Sequence, residues 1–209
     1  MRHATRSNGT AVVVKLLYPD TNELQFLQHF RRINSLDNHT IPLLETLDLN
    51  VGTFICIPEA IPLDIGFAIG KFRNSAVESS RQLTEGVGFL HCHGIAHLDI
   101  KPQNIVAFPH ELFIIDFGIS VRVSGPNALI DRWCGTPGWM APEIGRQDGP
   151  RCSYSPILAD LWSCGLVLNY LASEGAVKEE ITFTKLAQQL LNKEPQQRPL
   201  LHPSISFTE

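Results

Sequence analysis

The sequence predicts an α+β fold in which a small β-rich part precedes a larger, mostly helical part. Three observations carry that prediction. The β-branched and apolar runs that read as strands fall early, at residues 10–17 and 51–57. The long stretches of helical periodicity fall late, from residue 74 onward. No internal repeat, low-complexity tract or Gly/Ser-rich linker separates the two, so residues 1–209 are expected to form one domain.

The elements come in a clear order. Residues 10–17, Thr-Ala-Val-Val-Val-Lys-Leu-Leu, come directly after Asn8 and Gly9, which suit a tight turn feeding a strand. From Asp20 the period changes, with Leu24, Leu27 and Phe30 at helical spacing, and Asp20 with Glu23 has the form of a capping box. Residues 51–57 read as a second strand, halted by Pro58. A long helix is expected over 74–94: Asn74 or Ser75 caps it, Leu83, Val87 and Leu90 share a face, and Gly94 fits the position past its end. Residues 112–116 form a short buried strand. Ser155 and Pro156 then open a helix with a capping hydroxyl and a proline at its first position. To about Leu171 that helix is apolar nearly all round, which places it at a domain's centre. A last helix is expected over 185–193, ended by Pro195.

Composition excludes several classes of function. Apolar residues make up 44% of the chain and charged residues 18%, with mean hydropathy +0.01, so the chain can fill a core. Its longest apolar runs are too short to span a bilayer, and its first residues show no signal-peptide pattern. No membrane role is expected, and a cytoplasmic or nuclear location follows. A net charge of −4 argues against a nucleic-acid partner. The five cysteines are scattered and form no Cys-x-x-Cys, which suggests neither a zinc site nor a disulfide framework. Oligomeric state leaves no mark on the sequence.

The informative segment is residues 97–104, His-Leu-Asp-Ile-Lys-Pro-Gln-Asn, followed by Asp116-Phe117-Gly118. Phosphoryl transfer needs a carboxylate near the attacking hydroxyl, a cation near the transferred phosphate and oxygen ligands for magnesium. Asp99 supplies the first, Lys101 the second, and Asn104 with Asp116 the third. Asp and Asn are also common turn residues, but coincidence would then have to account for the whole eight-residue string.

On these residues the sequence resembles the eukaryotic protein kinases. Val14 and Lys15 on a strand, residues 97–104, Asp116-Phe117-Gly118, Ala141-Pro142-Glu143, Asp160-x-Trp162-Ser163-x-Gly165 and Arg198 before Pro199 fall in the family's order. The likeness runs from about residue 10 to about residue 200. Lys101 and the Gly135-Thr136-Pro137 lead-in are similar to the serine/threonine branch. The resemblance implies a bilobal kinase-like fold, with a truncated β-rich small lobe over 1–60 and a mostly helical large lobe over 61–209. It also implies ATP and Mg2+ as cofactors and a protein substrate.

The resemblance further implies residue roles. Lys15 would grip the α- and β-phosphates and pair with Glu23, although Glu23 could instead serve only as the third residue of its capping box. Thr136 would orient Asp99 and Lys101, against the plainer reading of a turn threonine between Gly135 and Pro137. Ile57 would stand at the gatekeeper position, and Glu59 and Ala60 would offer backbone groups to adenine. Asp160 would accept N–H bonds from the loop around His97, and Glu143 would pair with Arg198. His91 and His93 read as helix-end histidines beside a C-terminal dipole, not as metal ligands.

Three departures qualify the likeness. No Gly-x-Gly-x-x-Gly precedes Lys15, so the hold on the phosphates should be weaker. Leu98 replaces the arginine that in the family binds a phosphorylated activation loop, so no dependence on such phosphorylation is expected. The interval from Asp160 to Arg198 is short, so the helix usually lying between them should be reduced or lost. The leading expectation is an ATP- and Mg-dependent protein serine/threonine kinase. A catalytically weak or inactive relative, acting as a binding or scaffold module, is the alternative. A small-molecule phosphotransferase fits less well, because the segment leading to Ala141-Pro142-Glu143 suits a peptide-substrate platform.

Overall fold

The computed structural model describes residues 1–72, 76–108, 111–150, 152–174 and 181–202. In chain order its elements begin with β1 (Arg2–Thr5), β2 (Ala11–Leu16), α1 (Glu23–Phe30), β3 (Glu45–Leu49) and β4 (Gly52–Pro58). Next come β5 (Ile61–Pro62), α2 (Leu63–Ala68), α3 (Ala76–Cys92), β6 (Ile95–Ala96), β7 (Ile105–Ala107), β8 (Leu112–Ile114) and β9 (Val121–Arg122). The helices α4 (Pro156–Glu174) and α5 (Ile181–Leu190) are last. The fold is α+β, with the large sheet early and the long helices late.

The first four strands form an antiparallel sheet in the order β1-β2-β4-β3. Gly9, at φ +84°, closes the turn between β1 and β2 with a bond from its N–H to Arg6 O. Lys15 stands opposite Ile55 and Val13 opposite Ile57, so these four side chains share one face. Ile55 and Ile57 join Phe26, Leu27 and Phe30 of α1 in the main core. Two strands have no counterpart among the sequence expectations. β1 is exposed throughout and β3 nearly so, and a strand without a buried face shows no alternation to read.

α1 corrects the expected start. Asn22 occupies the cap position without a side-chain cap bond, so the box of Asp20 and Glu23 does not form. The Glu23 carboxylate is drawn to Lys15 instead. For α3, the expected caps Asn74 and Ser75 lie outside the described residues. Its far end is as expected: Gly94 comes next with φ +66°, where a Cβ would stand 2.6 Å from Val123 O. That close approach lets Val123 N–H reach Gly94 O at 2.8 Å and β6 pair with β9.

Ser155 caps α4 through its hydroxyl, which accepts from Leu158 N at 3.3 Å. α4 is the helical centre, with Leu161, Cys164, Val167 and Leu171 fully buried. It packs on α3, where Leu83, Val87 and Leu90 are buried, and on α5 through Ala187 and Leu190. Each such leucine contributes about 1.5–3 kcal/mol of burial, which makes this junction the firm base of the catalytic segments. α5 runs over 181–190, displaced toward the N-terminus from the expected 185–193; beyond it Pro195 opens a 3-10 turn instead of ending the helix. All five cysteines are free thiols. No helix among the described residues is long and apolar enough to cross a membrane.

Candidate active site

The loop between β6 and β7 is held from behind by α4. Asp160, 1% exposed, accepts from His97 N at 2.6 Å and from Leu98 N at 2.7 Å. Buried backbone N–H groups need partners, and this one carboxylate serves two of them. Leu98 sits at φ +66°, a left-handed conformation costly for a leucine, and its side chain is buried among Ala96, Cys134, Ala141 and Ile157. His97 is fully buried, with Nε2 2.9 Å from Ile115 O and Nδ1 3.2 Å from Asp99 N. A carbonyl can only accept, so Nε2 carries the proton and Nδ1 receives the Asp99 N–H.

Asp99 is the hub of a four-residue polar network. Its Oδ1 accepts from Thr136 Oγ1 at 2.6 Å, and its Oδ2 accepts from Lys101 Nζ and Asn104 Nδ2, each at 2.8 Å. Lys101 Nζ also donates to Thr136 Oγ1 at 2.7 Å, and Asn104 Nδ2 to Asp99 O at 2.9 Å. Four residues singled out from the sequence thus share one network, and Thr136 is more than a turn residue. Gly135 makes the approach possible: at φ +110°, a Cβ there would meet Met140 Cγ at 2.8 Å and Leu98 O at 3.0 Å.

The second cluster joins the sheet, α1 and the segment after β8. Lys15 Nζ lies 2.8 Å from both Glu23 carboxylate oxygens and 2.7 Å from Asp116 Oδ1. One ammonium therefore serves two carboxylates. Burial disfavours the charged lysine, but the charges of Glu23 and Asp116 outweigh it and push the Lys15 pKa up. Glu23 is the more buried acid, and burial raises its pKa in spite of Lys15. Burial works against Asp116 too, but Lys15, His97 and the Gly118 N–H hold its carboxyl below the ordinary range. Asp116 itself sits at φ +67°. Next to it the fully buried Phe117 ring lies 5.4 Å from Phe30 and 5.0 Å from His97, which ties α1 to the catalytic loop through aromatic contacts.

The donor set fits a hard divalent cation. Asn104 spends its amide nitrogen on Asp99, which leaves its carbonyl oxygen, and Asp116 is 40% exposed at the side chain with its carboxyl held ionised. Among the described residues no group of three or more His, Cys, Asp or Glu could form a cage. A site of one carboxylate and one amide oxygen suits magnesium, which keeps water and phosphate ligands.

Glu59 and Ala60 come just after β4 and are half-buried. The Glu59 N–H is already committed to Ala11 O at 3.2 Å, and its carboxylate lies 3.0 Å from His3 Nδ1. Ile57, beside them, is 7% exposed and opposite Val13. Farther off, Arg198 meets Glu143 through both guanidinium nitrogens at 2.5 and 2.9 Å. It also donates to Leu158 O and Asn192 O and lies over the Trp162 ring. The partner of His91 leaves no trace in the sequence. Its Nε2 stands 3.2 Å from Asp160 Oδ2, on a residue 69 positions away that no local pattern announces.

Comparison with known proteins agrees with this geometry. A family model described as "Protein kinase domain" matches residues 71–197. The chain is 43% identical over 98 residues to the Nik-related protein kinase of Mus musculus, covering 46% of this chain and 7% of that protein. It is 38% identical over 107 residues to CBL-interacting protein kinase 8 of Oryza sativa subsp. japonica, covering 51% and 23%. It is 36% identical over 125 residues to the serine/threonine-protein kinase chk1 of Schizosaccharomyces pombe, covering 58% and 24%. The chain thus spans less than a quarter of each of these relatives. The matched stretch contains the Asp99 network, Asp116 and the Glu143 side of its pair with Arg198, and it makes up more than half of the sequence: the chain belongs to the eukaryotic protein kinase family.

Proposed function

We propose that this chain is an ATP- and Mg-dependent protein serine/threonine kinase, with residues 1–60 as its small lobe and 61–209 as its large lobe. The observation that carries the reading is the Asp99 carboxylate, fixed by Thr136, Lys101 and Asn104 at 2.6–2.8 Å. A residue so constrained is pre-organised, and phosphoryl transfer depends mostly on positioning and electrostatics.

In this reading Asp99 orients the hydroxyl of a serine or threonine in a protein substrate. The hydroxyl oxygen bonds to the γ-phosphorus of ATP, the bond to the β–γ bridging oxygen breaks, and the hydroxyl proton passes to Asp99. ADP and the phosphorylated protein leave. Lys101 offsets charge on the transferred phosphoryl group, and Thr136 keeps Asp99 and Lys101 in register. Lys15, braced by Glu23, holds the α- and β-phosphates, while Glu59 and Ala60 border the adenine. Because the Glu59 N–H is bonded to Ala11, Glu59 has only its carbonyl to offer there. Magnesium, when bound by Asn104 and Asp116, neutralises phosphate charge.

The competing reading is a catalytically weak or inactive domain serving as a binding or scaffold module. It is favoured by the lack of a Gly-x-Gly-x-x-Gly in these 209 residues. The deciding experiment is phosphate transfer from labelled ATP, with magnesium, to a generic basic protein, comparing wild type with Asp99→Asn. Transfer that Asp99→Asn abolishes supports the kinase. A folded wild type without transfer favours the scaffold.

A further inference from the structure

We propose that His91 is a positioning residue of the catalytic loop, acting through Asp160. Only the activity arm of its test rests on the kinase reading. His91 lies in the last turn of α3, with its side chain 6% exposed. Its Nε2 is 3.2 Å from Asp160 Oδ2, and its Nδ1 is buried with no hydrogen-bond partner. An ionised carboxylate only accepts, so the imidazole proton belongs on Nε2, and Nδ1 stays bare where nothing could receive a proton. Asp160 then accepts three N–H groups: Leu98 on Oδ1, and His97 and His91 on Oδ2.

The division of labour comes from those directions. The two backbone bonds hold the peptide that places Leu98 at φ +66° and so aims the next residue, Asp99. Both come from the same loop, so neither can fix the carboxylate against that loop's own movement. His91 is anchored on a different element, the rigid helix α3, and provides the outside reference. It sets the rotation of the Asp160 carboxyl before the loop leans on it. A histidine that merely neutralised the C-terminal dipole of α3 would need no carboxylate partner from α4.

The test uses His91→Met, which keeps the volume without a donor, and His91→Gln, whose amide nitrogen reaches about where Nε2 stands. His91→Asn, polar but too short to reach Asp160, replaces the methionine variant if that one does not fold. The first readout is the amide proton shift of His97 and Leu98 in 15N-labelled protein, which needs no turnover. The second is kcat and KM for ATP and a protein substrate. The expected result is an upfield movement of both amide protons in His91→Met. With it comes a loss of about tenfold in kcat with KM little changed, the lower end for removing a group that orients a functional ligand. His91→Gln should restore both readouts. Unmoved amide shifts in His91→Met, or a glutamine variant no better than methionine, overturn the proposal. If wild type transfers no phosphate, the kinase reading fails and the amide shifts alone decide the role of His91.

Discussion

Thr136 and Asp99, 37 positions apart in the chain, share a hydrogen bond of 2.6 Å from the threonine hydroxyl to Oδ1. The same hydroxyl accepts from Lys101 Nζ, so one side chain aligns the acid and the cation. Thr136→Val keeps the shape and removes the hydroxyl. Losing a hydrogen bond to a charged group costs about 1.5–3 kcal/mol, roughly 10- to 100-fold in rate if felt wholly in the transition state. Steady-state kinetics should show that loss in kcat, with Thr136→Ser near wild type. A valine variant with unchanged kcat removes Thr136 from the machinery.

The Glu143–Arg198 pair predicts an asymmetry in stability. The Arg198 side chain is 0% exposed and bonds to Glu143, Leu158 O and Asn192 O, while Glu143 is 17% exposed. Arg198→Met strands a carboxylate and two carbonyls and should cost about 3–5 kcal/mol. Glu143→Gln leaves the guanidinium its two carbonyls and the Trp162 ring, and should cost only about 1–3 kcal/mol. Urea unfolding of both variants measures the difference. Equal losses would mean that the carbonyl contacts contribute nothing.

What the sequence discloses depends on where partners lie. Residues 97–104 are readable because the acid, the cation and the amide that meet at Asp99 are neighbours in the chain. Ser155 and Pro156 are equally legible, since a cap acts on its own first turn. Glu23 misleads on its local role, because the capping pattern is local whereas Lys15, its actual partner, comes from another element. The commitment of the Glu59 N–H to Ala11 is invisible, as any residue can supply that backbone bond. β1 and β3 lack the buried face on which strand patterns depend.

Leu98 has no group with which to bind a phosphate, and its side chain is 5% exposed in an apolar cluster that includes Cys134 and Ala141 of the segment after Asp116. That contact joins the catalytic loop to the segment without any modification. Ser124 is partly exposed at the surface, so Ser124→Glu should leave the transfer rate within about twofold, surface changes being near neutral. Ser120 is 3% exposed and donates to His97 O at 3.1 Å. Ser120→Asp buries a charge there and should lower both stability and rate. A severalfold rise in rate with either variant would sink the idea of a segment assembled without phosphate.

The Lys15 cluster predicts a pH signature. The Asp116 carboxyl is held below its ordinary 3.8: burial opposes its ionisation, but Lys15 and its neighbours prevail. Its stabilising share is therefore present at neutral pH and is lost only as the pH falls through a value below 3.8. Lys15 is held above 10.5, so its share is complete below that pH and is lost only as the pH rises through the higher folded value. Glu23 runs the other way: burial lifts it above 4.5, and its ionisation in the fold draws on stability as the pH rises through that range. Lys15→Met removes the one cation between two carboxylates. At neutral pH it should cost up to about 3 kcal/mol, the low end for a broken buried pair because water reaches Asp116, 40% exposed, and screens it. As the pH falls toward 4 the variant's Glu23 and Asp116 take up protons, so the gap to wild type should narrow. Thermal unfolding of both proteins from pH 7 down to 4 measures that gap. A gap that widened on acidification would mean that the carboxylates do not depend on Lys15 for their charge.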